Sequence, residues 1–285
     1  MTADGSSSPD PLRPSAASAA RAWAERVRAG RAQIERLREV KEPSDFYGPM
    51  AGRFAKDPRR TGEPALSVLL KLARPEQTWL DIGAGGGRYA LPLALAVKRV
   101  IAVDPSPSML GVLREGQGTH DIHNIDIHEG HWPVAAMTWQ ADVALMAHVG
   151  YDIETFPDFL DAAEAAARRC VVIMRTSTDV RASHILWPEI HGEPRVVYPM
   201  LQELLVLLIA RGRVPEVTLV DRESLGDPST DALLASARRM LWLKPGSRKD
   251  RRLQALIEER ATERDGAWQL DWTPMQDGIV TWSCP

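Results

Sequence analysis

Residues 78–96 read TWLDIGAGGGRYALPLALA, and this stretch divides into three parts. A short apolar run ends in Asp81 and Ile82, glycines stand at 83, 85, 86 and 87, and an Ala/Leu-rich helical stretch follows at once. A strand that breaks into a glycine turn and resumes as a helix opens a parallel β-α-β unit. Side chains at Gly83 or Gly85 would forbid the positive φ such a turn uses and would keep a ligand off the main chain, while a helix N-terminus presents unbonded N–H groups to an anion. Seventeen residues past Gly87, a second strand, RVIAVD, ends in Asp104. An acid at that place in this architecture can accept two hydrogen bonds from a ribose diol. Together these features describe a nucleoside held across the carboxyl ends of neighbouring parallel strands. A dinucleotide fold would want glycine at 88, where Arg88 stands; the spacing present is G-x-G-x-G behind an acid at 81, so a pyrophosphate site fits poorly.

Working outward, the apolar runs RVIAVD, NIDIHE, ADVALMA and CVVIM alternate with helical stretches of about 10 to 15 residues, which predicts parallel pairing with helices on both sheet faces. EVTLVD reads as a sixth strand and DGIVTWSCP as a last one entered from a turn. Residues 1–20 are predicted to form a disordered tail. Residues 21–62 are predicted to form a helical cap and connector, with Trp23, Val27, Ile34, Leu37 and Val40 at helical spacing. Residues 63–285 form the main domain, with a lid-like insert at 178–198 and a helical insert at 229–264.

Composition limits the function classes. The 285 residues carry 35 Lys and Arg against 38 Asp and Glu, a net charge of −3, so no global field recruits nucleic acid or anionic lipid. The longest apolar run, 204–210, falls far short of the roughly 20 residues of a membrane span. The start lacks an apolar signal region, and the two cysteines, Cys170 and Cys284, share no ligand spacing with a histidine; both fit a reducing, cytoplasmic compartment. The histidines at 120, 123, 128 and 131 suggest a metal cluster. On one strand, however, His123 and His128 would stand about 16 Å apart, and no metal is expected.

The segment Asp81-Ile82-Gly83-Ala84-Gly85-Gly86-Gly87, followed by Val103-Asp104, resembles the first two motifs of the class I S-adenosylmethionine-dependent methyltransferases. The resemblance covers residues 60–175, with a weaker match in the final strands. It implies a Rossmann-like, doubly wound, seven-stranded, mostly parallel sheet in which DGIVTWSCP is the antiparallel strand between the fifth and sixth. It implies S-adenosyl-L-methionine as cofactor, with its methionine part in the loop of Asp81, Gly83, Ala84, Gly85 and Gly87 and its ribose on Asp104. Pro105 and Ala147 would line the same cradle, and Gly130, His131 and Trp132 would flank the adenine. The family often has an acid where His131 stands, and Trp132 could stack on the base or plug the core.

Methyl transfer from a sulfonium draws most of its acceleration from alignment, and a base matters only where the acceptor loses a proton. The loop after the fourth strand, Ala147-His148-Val149-Gly150-Tyr151-Asp152, faces the methyl group in such a sheet. His148 is therefore the leading candidate base or orienting group, with Tyr151 second. The loop lacks the Asn/Asp-Pro-Pro-aromatic sequence of base-methylating enzymes, and by elimination the acceptor is a small molecule. The long segment after the fifth strand, with His184, Trp187 and His191, is expected to cover the acceptor pocket together with Phe46 and Tyr47. A non-catalytic relative acting as a partner subunit and a nicotinamide-dependent oxidoreductase remain alternatives, and an oligomer is open.

Overall fold

The computed structural model describes residues 14–41, 43–134, 138–176, 182–222, 226–264, 266–270 and 275–285. Helix α1 (Ala16–Leu37) is followed by a 3₁₀ helix (Gly48–Phe54) and α2 (Pro64–Leu72). Then come β1 (Thr78–Ile82), α3 (Ala90–Ala94), β2 (Arg99–Asp104), α4 (Pro107–His120), β3 (Ile125–Glu129) and β4 (Ala141–Ala147). The chain continues through α5 (Phe156–Ala166), β5 (Ala167–Arg175), α6 (Ala182–Ile185), α7 (Trp187–His191), α8 (Leu201–Ala210) and β6 (Glu216–Arg222). It ends with α9 (Thr230–Met240), α10 (Arg248–Arg260), a small hairpin of β7 (Thr262–Arg264) and β8 (Ala267–Gln269), and β9 (Met275–Ser283).

Seven strands form one sheet in the order β3-β2-β1-β4-β5-β9-β6. All neighbours up to β5 pair in parallel, and β9 runs antiparallel between β5 and β6. The doubly wound reading holds, including the inserted last strand. Val100 to Asp104 of β2 are all buried, as expected for a strand covered on both faces. One face packs against α1, α5 and α8 and the other against α2, α3 and α4, giving two apolar layers. Because β9 is reversed, its first residues lie beside the last residues of β5 and β6. The pairing of Asp277 with both Arg175 and Val220 puts them at the edge where the glycine loop opens.

One expected boundary shifts. The helix begins at Ala16, inside the expected tail, capped by Ser15 accepting a hydrogen bond from Ser18 N. The partner surface that its amphipathic face needs is the sheet layer itself: Trp23 and Val27 are buried with residues of α5 and α8. The inserts join each other as well. Trp187 and Ile190 of α7 pack with Leu233 and Ala237 of α9 and Leu253 and Leu256 of α10 in a third cluster, which Ile34, Leu37 and Phe46 flank. Among the described residues, no helix is long and apolar enough to cross a membrane.

Candidate active site

The glycine loop is held by its neighbour strand: Gly83 N and Ala84 N both donate to Val103 O, at 2.8 and 3.1 Å. Gly83, Gly85 and Gly87 take φ of +78°, +54° and +83°, the left-handed region that a Cβ penalises. Glycine at 83 also has a packing reason. A Cβ there would stand 2.3 Å from Val149 Cγ2, so the loop after β4 rests directly on the glycine loop. The following helix, α3, has only five residues and starts at Ala90, so the main chain of the turn, and not a helix terminus, is what faces a ligand.

Asp104 ends β2 with both carboxylate oxygens fixed. Oδ2 accepts from Gly85 N and Oδ1 from Ser106 N, each at 2.9 Å. Each oxygen keeps a second acceptor position. Burial raises its pKa, and those two backbone N–H bonds oppose the rise. Asp81 is more extreme: burial, then the charge of Asp104, pushes it up to about 7. Two neighbouring buried acids, one of them close to neutral, fit a ligand that brings hydroxyl donors and positive charge. An amino acid joined through a sulfonium to a nucleoside has both.

The connector covers this end of the site. Asp45 accepts hydrogen bonds from Ser106 Oγ at 2.9 Å and Ser108 Oγ at 2.5 Å. A Cβ on Gly86 would meet Phe54 Cβ at 3.1 Å, and Tyr47 stands edge-on to Phe54 at 5.9 Å. Tyr47, expected over the acceptor with Phe46, stands in this connector wall, while Phe46 packs against Trp242 of the third cluster at 5.5 Å. Gly130 N donates to Asp104 O at 3.1 Å, and the charge of His131 bears on Asp104, so both lie beside that acid. Trp132 is tied to the core: its Nε1 donates to Phe159 O at 3.1 Å and its ring stacks on Trp139 with centroids 6.2 Å apart.

The loop after β4 carries a polar cluster. His148 adopts φ +58°, a left-handed conformation that costs a non-glycine residue energy and recurs at functional sites. Its Nδ1 lies 3.2 Å from Tyr151 Oη, and its Nε2 3.5 Å from Asp277 Oδ2. Tyr151 Oη already accepts from Arg175 N at 3.0 Å, which leaves its own proton for His148 Nδ1. That network assigns the neutral imidazole a proton on Nε2, toward Asp277. Burial raises the pKa of Tyr151, with the charge of Arg175 opposing. No motif marks Asp277, Arg175 or Arg222. The available signal is topological, because a reversed strand between the fifth and sixth must start at the ligand edge.

The residues expected in the lid go elsewhere. Trp187 is fully buried, with the tilted ring of His191 at 4.2 Å and the Arg195 guanidinium over its ring at 4.4 Å, so it offers a substrate no surface. His191 Nε2 bonds Leu241 O at 3.2 Å, and its pKa is lowered to about 4 by burial and by Lys249. His184 lies on α6, which packs against α9. Residues 177–181 of the insert lie outside the described residues. The histidines at 120 and 123 have separate partners, Arg59 and Asp121, and His128 lies against Trp139.

Residues 80–171 match the family model for a methyltransferase domain. The match spans less than half of the chain and marks a methyltransferase-like domain within it. An uncharacterised protein of Haemophilus influenzae is 28% identical over 170 residues, 56% of this chain and 60% of that relative, so the chain aligns with less than two thirds of the relative's length. Solved structures share the methyltransferase fold. The YcgJ protein of Bacillus subtilis superposes with a TM-score of 0.56 at 14% identity, covering 78% of this chain and 98% of that one. A methyltransferase candidate from Bacillus halodurans gives 0.55 at 15% identity, with 77% and 98% covered.

Proposed function

We propose that this methyltransferase domain transfers the methyl group of S-adenosyl-L-methionine to oxygen, nitrogen or carbon of a small-molecule acceptor. The observation that carries the reading is the packing of Val149 on Gly83, which sets the His148 loop against the turn that would hold the methyl donor. When bound, the cofactor supplies an electrophilic methyl on a sulfonium. In this reading Asp81, Gly83, Ala84, Gly85 and Gly87 form the cradle for its amino-acid part, Asp104 holds the ribose, and Pro105, Gly130, His131 and Ala147 line the remainder. Trp132 serves as the wall beneath the adenine edge. A net charge of −3 and a loop without a base-holding motif favour a small acceptor over nucleic acid. The test is transfer of labelled methyl from the cofactor to a panel of small hydroxyl, amine and carbon acceptors. Cofactor binding with no product from any of them would overturn the reading.

His148 is proposed as the group that orients the acceptor or takes its proton. Replacing His148 with alanine should lower turnover about 10²-fold for an acceptor that ionises, with S-adenosylhomocysteine affinity unchanged. Full turnover in that variant would end its catalytic role.

Asp81 gives a pH prediction. Its folded pKa of about 7 lies above the ordinary carboxylate value of 3.8, so the folded protein binds more protons than the unfolded chain between those values. The stability contributed by protonated Asp81 is present below the lower value and is lost as pH rises through the upper one. A cationic ammonium group selects the ionised acid, so S-adenosylhomocysteine should bind more tightly at pH 8 than at pH 6 and release a proton at the lower pH. Calorimetry in buffers of different ionisation enthalpy reads that proton, and Asp81→Asn should flatten the profile.

A further inference from the structure

The ends of β5 and β6 and the start of β9 lie together at the edge that carries His148. Asp277 pairs with Arg175 on one side and Val220 on the other, and Arg222 lies two residues past Val220. Directly paired residues, and residues two apart on a strand, share a sheet face, so Arg175, Asp277 and Arg222 rise from the same side. Ala147, at the foot of the His148 loop, is on this side too, since it pairs with Ile173, two residues before Arg175. The charge of Arg88 reaches the cluster from the end of the glycine loop and bears on both Asp277 and Arg222.

The cations of this cluster are not equally answered. Arg88 pairs with Glu63 at 2.8 Å, and the same carboxylate holds Arg60 at 2.7 Å. Arg222 has a looser arrangement: its ion pair is with Asp277 Oδ2, 4.0 Å from Nε, and its side chain is only 15% exposed. Among the described residues, neither Arg222 Nη1 nor Asp277 Oδ1, both buried, has a hydrogen-bond partner. Burial, with Arg175 and Arg88 adding repulsion, pulls the Arg222 pKa below its ordinary value. Asp277 also faces His148 at 3.5 Å, so its charge is divided. A buried guanidinium with an unused donor and a distant counter-ion is costly, and an apolar residue would pack there at less expense. A ligand anion removes that cost, because the guanidinium fork matches a carboxylate or phosphate with two parallel hydrogen bonds.

We infer that the methyl acceptor is an acid: its carboxylate or phosphate docks on Arg222, and a donor group of the same molecule bonds Asp277 Oδ1, next to His148. The inference rests on the methyl-transfer reading and narrows its substrate class. Arg222 and Asp277 would select the acceptor and set its direction without touching the cofactor cradle.

The test is calorimetry on the full chain saturated with S-adenosylhomocysteine, titrated with 3-hydroxybenzoate, with 3-hydroxyphenyl phosphate and with the uncharged 3-hydroxybenzamide. The expected result is saturable binding of at least one acid, with the amide about tenfold weaker or more. Arg222→Gln should reduce the acid to the level of the amide while S-adenosylhomocysteine affinity stays within about twofold. Arg222→Lys, which keeps the charge and loses the fork, should fall between and serves as the second variant if the glutamine form does not fold. Whichever acid binds more tightly identifies the anion as carboxylate or phosphate. Equal binding of acid and amide, no binding of either acid, or full acid affinity in Arg222→Gln would overturn the inference with the cofactor site intact. Failure of the unmodified chain to bind S-adenosylhomocysteine would remove the methyltransferase reading and the inference together.

Discussion

Asp104→Ala is expected to weaken S-adenosylhomocysteine binding by about 10²-fold, because two hydrogen bonds to a charged carboxylate are lost at once. The carboxylate is presented ready to act: Gly85 N and Ser106 N, each at 2.9 Å, fix both of its oxygens and leave one acceptor position on each. The substitution also leaves those two N–H groups without their partner, so the glycine loop itself loosens. Asp104→Asn separates the effects, since the amide retains one oxygen acceptor while the charge is gone. Its affinity should lie between those of the parent and Asp104→Ala. Calorimetric affinity in Asp104→Ala equal to that of the parent chain would show that this acid does not hold the ribose.

Trp23→Ala is expected to destabilise the chain by about 3–5 kcal/mol, the usual cost of emptying a large buried aromatic site. Trp23 is 2% exposed, stacks on Phe156 with centroids 4.7 Å apart, and donates from Nε1 to Ile153 O at 2.9 Å. The consequence reaches the active site through Phe156, whose ring fills the place a Cβ on Gly150 would take, 2.3 Å away. Gly150, at φ +102°, follows His148 by two residues, so the helix near the amino terminus braces the loop that carries the candidate base. Urea denaturation measures the loss. A cost below about 1 kcal/mol, typical of a surface position, would mean that α1 is an appendage after all.

The order of elements, the parallel sheet and the glycine turn were legible in the residues because each is a local pattern. Apolar runs of strand length alternate with helical spacing, glycines sit where the chain must take positive φ, and Asp104 closes the next strand. Even the insertion of the last strand was available once the turn had been matched to its family. Asp45 and the wall it makes beside Ser106 were not legible, since a connector rich in glycine, proline and charge has no periodicity to reveal which surface it meets. Trp187 and His191 looked like lid residues for the same reason: side-chain chemistry suggested a ligand, and only packing against α9 and α10 showed that Trp187 fills a core.

Long-range pairing explains the rest. Cys170 and Cys284, separated by 114 positions, come to 3.5 Å between sulfurs because β5 and β9 are neighbours. Arg175, Arg222 and Asp277 meet in the same way at the opposite end of those strands. From its sequence alone this protein has a doubly wound sheet and a glycine turn with positive φ, because local sterics and hydrophobic spacing are written residue by residue. Which charges stand at the sheet edge beside the His148 loop was decided by the tertiary structure, because strand register brings together residues that no spacing in the chain relates.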